Sequence, residues 1–214
     1  MRQGRTTKAD TGFASATGET FALHPEYDGQ RYSVLGTGVR AMQFTNVYAI
    51  GFHLEDLEGM RALTGYFEGA GAKHRSLRGI ELARALERDA GFFAMLMDSP
   101  FGKAAELVFR QPVKAEQMRQ AFTRGLRRTL AETEMPRIEK VVGLLKRDLA
   151  QGDRLLVRTR ANRTVVLDFD GAHHEIEDEL LARATWVPYL GVDSVTPSLK
   201  ECIALRVADM RGPR

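Results

Sequence analysis

The stretch GTGVRAMQFTNVYAIGFHLE, residues 36 to 55, decides how the chain is read. Glycines interrupt runs of Val, Tyr, Phe and Ile, a composition that suits two strands joined by a short turn better than a helix. Gly36, Gly38 and Gly51 mark bulges or places where another group comes close. Side chains alternate along a strand, so Phe44, Asn46, Tyr48, Ile50, Phe52 and Leu54 share one face of the second strand, and Thr45, Val47, Ala49, Gly51, His53 and Glu55 share the other. Tyr48 therefore lies on the more apolar, inward face.

Arg40 is the residue this hairpin leaves to be explained. With a turn centred on Phe44, Arg40 faces Tyr48; with a two-residue turn at Thr45-Asn46, Arg40 faces Gly51 and Tyr48 lies on the other side. In the first register a guanidinium and a phenol point together into an apolar setting, where an unpaired cation is strongly unfavourable. An anionic or carbonyl ligand would satisfy both groups. Alternatively, Arg40 pairs with a buried carboxylate or extends to the sheet edge.

Outward from the hairpin, the pattern turns helical over DLEGMRALTGYFEG and IELARALERDAGFFAMLMDSP, where Leu82, Leu86, Phe93, Leu96 and Met97 approximate a helix period and Asp89 can cap AGFFAML. KAAELVFR reads as a strand. A long helix follows, with Met118, Ala121, Phe122, Gly125, Leu126 and Leu130 on its apolar stripe, and then a second with Ile138, Val141, Val142, Leu145 and Leu149, ending at Gly152 and Asp153. DRLLVRTR, TVVLDFD and HHEIE form a strand series with turns at ANR and Asp170-Gly171. DELLARATWVPYL and SLKECIALRVADM close the chain as helices. This order indicates an α+β fold with a largely antiparallel sheet.

The 214 residues, 43% hydrophobic, suit a single globular domain over residues 21–214 behind a flexible N-terminal arm over residues 1–20. The 31 Lys and Arg against 28 Asp and Glu give only +3, with the signs interspersed, so the charge does not point to nucleic acid. Cys202 sits on an apolar helical stripe and reads as a packed thiol. No run is long and apolar enough for a membrane span or a secretory signal, so a soluble, cytoplasmic protein is expected. Arg2, Arg5 and Lys8 leave organelle import open, although Asp10 and Glu19 argue against a transit peptide.

Other motifs carry less. His173 and His174 are adjacent on a strand, point to opposite faces and cannot easily share a metal ion. Arg154, Arg158, Arg160 and Arg163 read as a solvated sheet edge, without the aromatic interleaving of single-strand binders. The Gly36-Thr37-Gly38 pair of glycines precedes a strand and is no dinucleotide fingerprint.

GTGVRAMQFTNVYAIGFHLE resembles the first strand pair of the chalcone isomerase family. DAGFFAMLMDSPFGKAAELVF is similar to that family's helix ending at a Pro before a strand with a basic start, and YLGVDSVTPSLKECI to the Gly then Val-Ser-Pro segment before its last helix. The resemblance spans residues 31 to 207. It implies a long antiparallel sheet with a layer of α-helices packed on one face and an apolar cleft between them.

In the plant enzymes of the family an Arg steadies the oxyanion during an intramolecular ring closure, and Arg40 matches that position. The remaining match is poor: Tyr48 stands where the plant enzymes have Thr, and their helical Tyr and Asn fall near Lys114 and Ala121. An Arg with a Tyr on the neighbouring strand is similar instead to the fatty-acid-binding branch, which implies a carboxylate clamp of Arg40 and Tyr48. The cleft is then lined by Phe52, Phe93, Met97, Trp186 and Tyr189. The expected function is binding of a small apolar carboxylate without turnover and without a cofactor. The alternative is a ring-closing intramolecular lyase with Arg40 and Tyr48 as its catalytic residues. A further alternative, haem ligated by His53 or His24, has no attachment motif behind it.

Overall fold

The structure is a computed structural model, and it describes residues 13–14, 18–169 and 171–212. Its strands are β1 (Phe13–Ala14), β2 (Thr20–Phe21), β3 (Glu26–Tyr27), β4 (Gln30–Met42), β5 (Thr45–Glu55), β6 (Lys103–Phe109), β7 (Arg154–Thr159), β8 (Thr164–Phe169) and β9 (Ala172–Glu177). Its helices are α1 (Asp56–Glu68), α2 (Gly79–Glu87), α3 (Ala90–Asp98), α4 (Ala115–Leu126), α5 (Met135–Val142), α6 (Glu179–Ala184), α7 (Val187–Leu190) and α8 (Pro197–Met210). β3 to β9 form one antiparallel sheet in chain order, and β1 pairs with β2. The arm expected over residues 1–20 lies for the most part outside the described residues. The turn expected at Asp170-Gly171 is described only at Gly171, whose φ is +71°.

The glycines of the opening hairpin set how closely other elements approach the sheet. A Cβ on Gly36 would lie 2.7 Å from the Ile203 side chain, and one on Gly38 would lie 2.8 Å from Leu199. α8 therefore packs directly onto the β4 backbone. It also covers the strand's edge, because Thr37 N donates to Cys202 Sγ (3.2 Å) and Val39 N to Ser198 Oγ (3.1 Å). Cys202 is thus a packed, half-buried acceptor. On the opposite face, a Cβ on Gly51 would lie 2.6 Å from the Phe21 ring, and Phe21 makes a small core there with Ala49 and Val108. Both faces of β5 are buried for this reason, and the inward alternation of Tyr48, Ile50, Phe52 and Leu54 is matched by buried Ala49, Gly51 and His53 behind it.

Asp89 caps α3 as its position suggests, accepting from Gly91 N (2.9 Å) and Phe92 N (3.3 Å). Three expectations are corrected. The helix expected to reach Gly152 stops at Val142; Leu145 and Leu149 are still buried, but through turns, and Leu149 pairs with Val113 as an isolated bridge while Asp153 accepts from Ala150 N. DELLARATWVPYL is two helices, since Pro188 brings no N–H to continue the first. The arginines of β7 do not lie on a solvated edge: β7 is an interior strand, the edge is β9, and Arg158 is 3% exposed between Asp28 and Asp168.

Candidate functional site

The hairpin turn is Gln43–Phe44, both residues at positive φ (44° and 69°), with Met42 opposite Thr45 and Ala41 opposite Asn46. Continued without interruption, that register would put Arg40 opposite Val47. A bulge intervenes on β5, so the next pair is Arg40 with Tyr48. Of the two registers open in the sequence, the one that puts guanidinium and phenol side by side is present. It is reached by a two-residue turn and an extra residue rather than by a turn centred on Phe44.

Arg40 is half-buried, and its Nη1 donates to the Val195 carbonyl oxygen at 2.8 Å. It has no carboxylate partner among the described residues. Tyr48 is 9% exposed, packs edge-to-face on Phe109 and hydrogen-bonds with the Tyr189 phenol. Burial pushes the Tyr48 hydroxyl up to about 12, against the opposing pull of the Arg40 charge and the Tyr189 hydrogen bond. Tyr189 is raised further, first by its own burial and then by Tyr48. Both phenols are therefore neutral donors at physiological pH, not bases. With Tyr189 donating to Tyr48, the Tyr48 hydrogen is available to a third group.

Arg40, Tyr48 and Tyr189 line a cavity of about 700 Å³ between the sheet, α4, α5 and α7. Its inner walls are buried apolar side chains: Val113 and Met118, Leu126 and Val141, then Val157, Val165 and Leu167 from the sheet. Met42, Gln43, Thr45, Gln120, Arg124 and Arg128 line it too and are exposed, which puts them at its mouth. Among the described residues, three arginines and no acidic side chain line the cavity. Its size falls within the roughly 300–1,000 Å³ of small-molecule sites.

The other residues expected at a cleft sit elsewhere. Phe52 and Trp186 are fully buried and stack edge-to-face at 5.4 Å, with Trp186 Nε1 donating to Thr159 Oγ1 at 2.9 Å. Phe93 is buried beneath the Lys200 ammonium, 4.4 Å from its ring centroid, and Met97 packs half-buried against the same core. These four belong to the core, not to the cavity wall. Ala121 does line the cavity, whereas Lys114 is exposed and pairs with Asp148 at the start of α4. His53 is buried on the face of the sheet opposite Tyr48, held near neutrality with its pKa lowered to about 4 by burial; His24 is exposed and bonds Ser33. His173 lies between Asp168 and Glu175, and no group of three or more metal-ligating side chains forms among the described residues.

The walls escaped sequence reading because Met118 and Leu126 look like any core stripe of a helix. The visible signal was the pair of cations, Arg124 and Arg128, flanking that stripe.

Fold and cavity together define an α+β protein whose antiparallel sheet and helices enclose a small-molecule-sized space. The chain belongs to the chalcone isomerase-like family, whose profile matches residues 30–204. It is 24% identical over 207 residues to chalcone–flavanone isomerases 1 and 2 of Chrysanthemum morifolium, covering 88% of this chain and 83% of each relative. In structure it is similar to a fatty-acid-binding protein of Arabidopsis thaliana, with a TM-score of 0.72 at 16% identity over 93% of this chain and 98% of that one. That likeness concerns the fold. No described helix is long and apolar enough to cross a membrane.

Proposed function

We propose that the protein binds a fatty-acid-like carboxylate, its head held by Arg40 and Tyr48 and its chain lying along the apolar walls, without turnover. The observation that carries this is the lining, which among the described residues has three arginines, no acidic residue, and an Arg40 whose one hydrogen-bond acceptor is a backbone carbonyl. A carboxylate supplies what that guanidinium lacks, a charged acceptor in fork geometry. The Tyr48 hydroxyl adds a neutral donor, and each buried CH2 of the chain contributes about 0.8 kcal/mol. The fatty-acid-binding fold relative supports the same reading.

Titration with a fluorescent long-chain fatty acid tests it. Arg40→Ala weakens binding at least roughly tenfold, as expected for loss of a charge-assisted hydrogen bond; unchanged affinity contradicts the proposal. A second reading, ring closure of a chalcone with Arg40 steadying the oxyanion, draws on the isomerase relatives that align along most of the chain. It requires a cyclisation rate above the spontaneous one, lost in Arg40→Ala.

A further inference from the structure

The apolar residues at the cavity mouth face outward. Phe44, at the tip of the β4–β5 hairpin, is fully exposed, and Met42 beside it is half exposed. Val192 is 86% exposed in the loop before α8. That loop adjoins the mouth at two points, since Val195 accepts from Arg40 and the Asp193 carbonyl accepts from Arg128. Single exposed apolar residues are common on protein surfaces, but these three lie around one opening.

Phe44 also holds a backbone conformation that a bulky side chain rarely adopts, φ +69°, where Gly or Asn would be relaxed. The chain thus keeps an aromatic ring at a position that disfavours it, and the ring is left in solvent. Charge completes the pattern. Arg124 and Arg128 are exposed at the mouth and have no carboxylate partner among the described residues, whereas the neighbouring Arg127 is paired with Glu132. Asp193 is the acidic residue of the adjoining loop.

We propose that this rim docks on an anionic lipid surface, with Phe44, Met42 and Val192 entering the acyl boundary and Arg124 and Arg128 meeting the head groups. The inference goes beyond ligand binding, because it concerns where the mouth opens: onto the bilayer in which an apolar carboxylate partitions, so that the ligand need not cross water. Apolar insertion and cation attraction act together at such surfaces, each cation contributing roughly fivefold in affinity and a buried aromatic roughly tenfold or more.

The test is co-sedimentation with vesicles of phosphatidylcholine alone or mixed with phosphatidylglycerol. The intact protein sediments with the mixed vesicles and is released by salt. Phe44→Asn with Val192→Ser relaxes the turn, removes the apolar tips and lowers vesicle affinity at least roughly tenfold. It leaves fatty-acid affinity in vesicle-free buffer unchanged, since neither residue lines the cavity. Phe44→Trp retains vesicle binding and shifts its emission to the blue on insertion, over a constant background from the buried Trp186. Arg40→Ala still binds vesicles, so failure of the carboxylate reading and failure of this one are told apart. Equal binding to both vesicle types, or none, overturns the proposal. So does a double variant that binds vesicles undiminished, or one whose main change is a loss of self-association without vesicles, which would make the patch a contact between two copies of the chain.

Discussion

Two arginines on opposite faces of one sheet meet opposite fates. Arg158, 3% exposed on the back face, donates to Asp168 through Nε (3.1 Å) and Nη2 (2.7 Å) and to Asp28 through Nη1 (2.7 Å). Its ring of charge continues through Arg160, which pairs with Asp28 and Glu175, and through His173, which bonds Asp168 and Glu175. Tyr27 covers it, 5.4 Å from the guanidinium carbon. Arg40, half-buried on the helix face, has among the described residues a single carbonyl acceptor, and a cavity with apolar inner walls lies before it. Placement under a layer of structure does not separate the two; completeness does. A cation whose acceptors are all supplied by the chain stabilises the fold, and one left partly unmatched in a cavity is what the proposed function assigns to a ligand.

The largest break in that comparison is Arg158→Ala. It leaves Asp28 and Asp168 without their shared cation, and because both carboxylates retain some solvent the loss is about 3 kcal/mol, the lower end for a broken buried pair. Urea denaturation reads it, and a change below about 1 kcal/mol would show the network to be ornamental. Arg40→Ala is expected to fall in that smaller range while it lowers affinity for the fatty acid.

His53, on the same back face as Arg158, makes acid a comparably large perturbation. Burial lowers its pKa from 6.5 to about 4, so between those values the unfolded chain takes up a proton that the folded chain refuses. Stability therefore falls as pH drops from 6.5 to about 4, by about 3 kcal/mol in all. His53→Leu, measured by thermal unfolding across that window, flattens the curve by the His53 contribution and leaves that of the paired carboxylates and His173. Ligand affinity behaves differently: Tyr48 stays protonated until about pH 12, so binding is flat through neutral and mildly alkaline pH and declines only where the ligand carboxylate itself is protonated. An affinity or rate that climbed with a pKa near 7 would contradict the assignment of Tyr48 as a neutral donor.

The smallest effect sharpens the clamp. Tyr48→Phe keeps the edge-to-face packing on Phe109 and removes one donor, so affinity for a fatty acid drops about fivefold, and stability falls by about 1 kcal/mol because the buried Tyr189 hydroxyl loses its acceptor.

What could be read from the sequence is local. The strand pair and the cap at Asp89 follow from residues near one another in the chain, and Gly36, Gly38 and Gly51 mark close approaches without naming the distant Ile203, Leu199 and Phe21 that make them. The bulge that turns Arg40 toward Tyr48 left no mark, because Val47 suits a regular strand as well as a bulged one. Arg158 read as solvated because its partner Asp28 lies 130 residues away. Trp186 and Phe52 read as cleft-forming and are core, since apolarity tells that a side chain is buried but not whether the space beside it is filled. The cavity is such a space, defined by how α4, α5 and α7 stand off the sheet, and no single segment encodes it.

The central claim, that Arg40 is kept for the carboxylate of an apolar ligand, is tested most directly by calorimetric titration of the intact protein and Arg40→Ala with a long-chain fatty acid and the alcohol of equal chain length. The account predicts that the intact protein prefers the acid at least roughly tenfold, and that Arg40→Ala binds acid and alcohol alike while unfolding at nearly the same temperature. Equal affinity of the intact protein for acid and alcohol, or a preference for the acid that survives in Arg40→Ala, would contradict it.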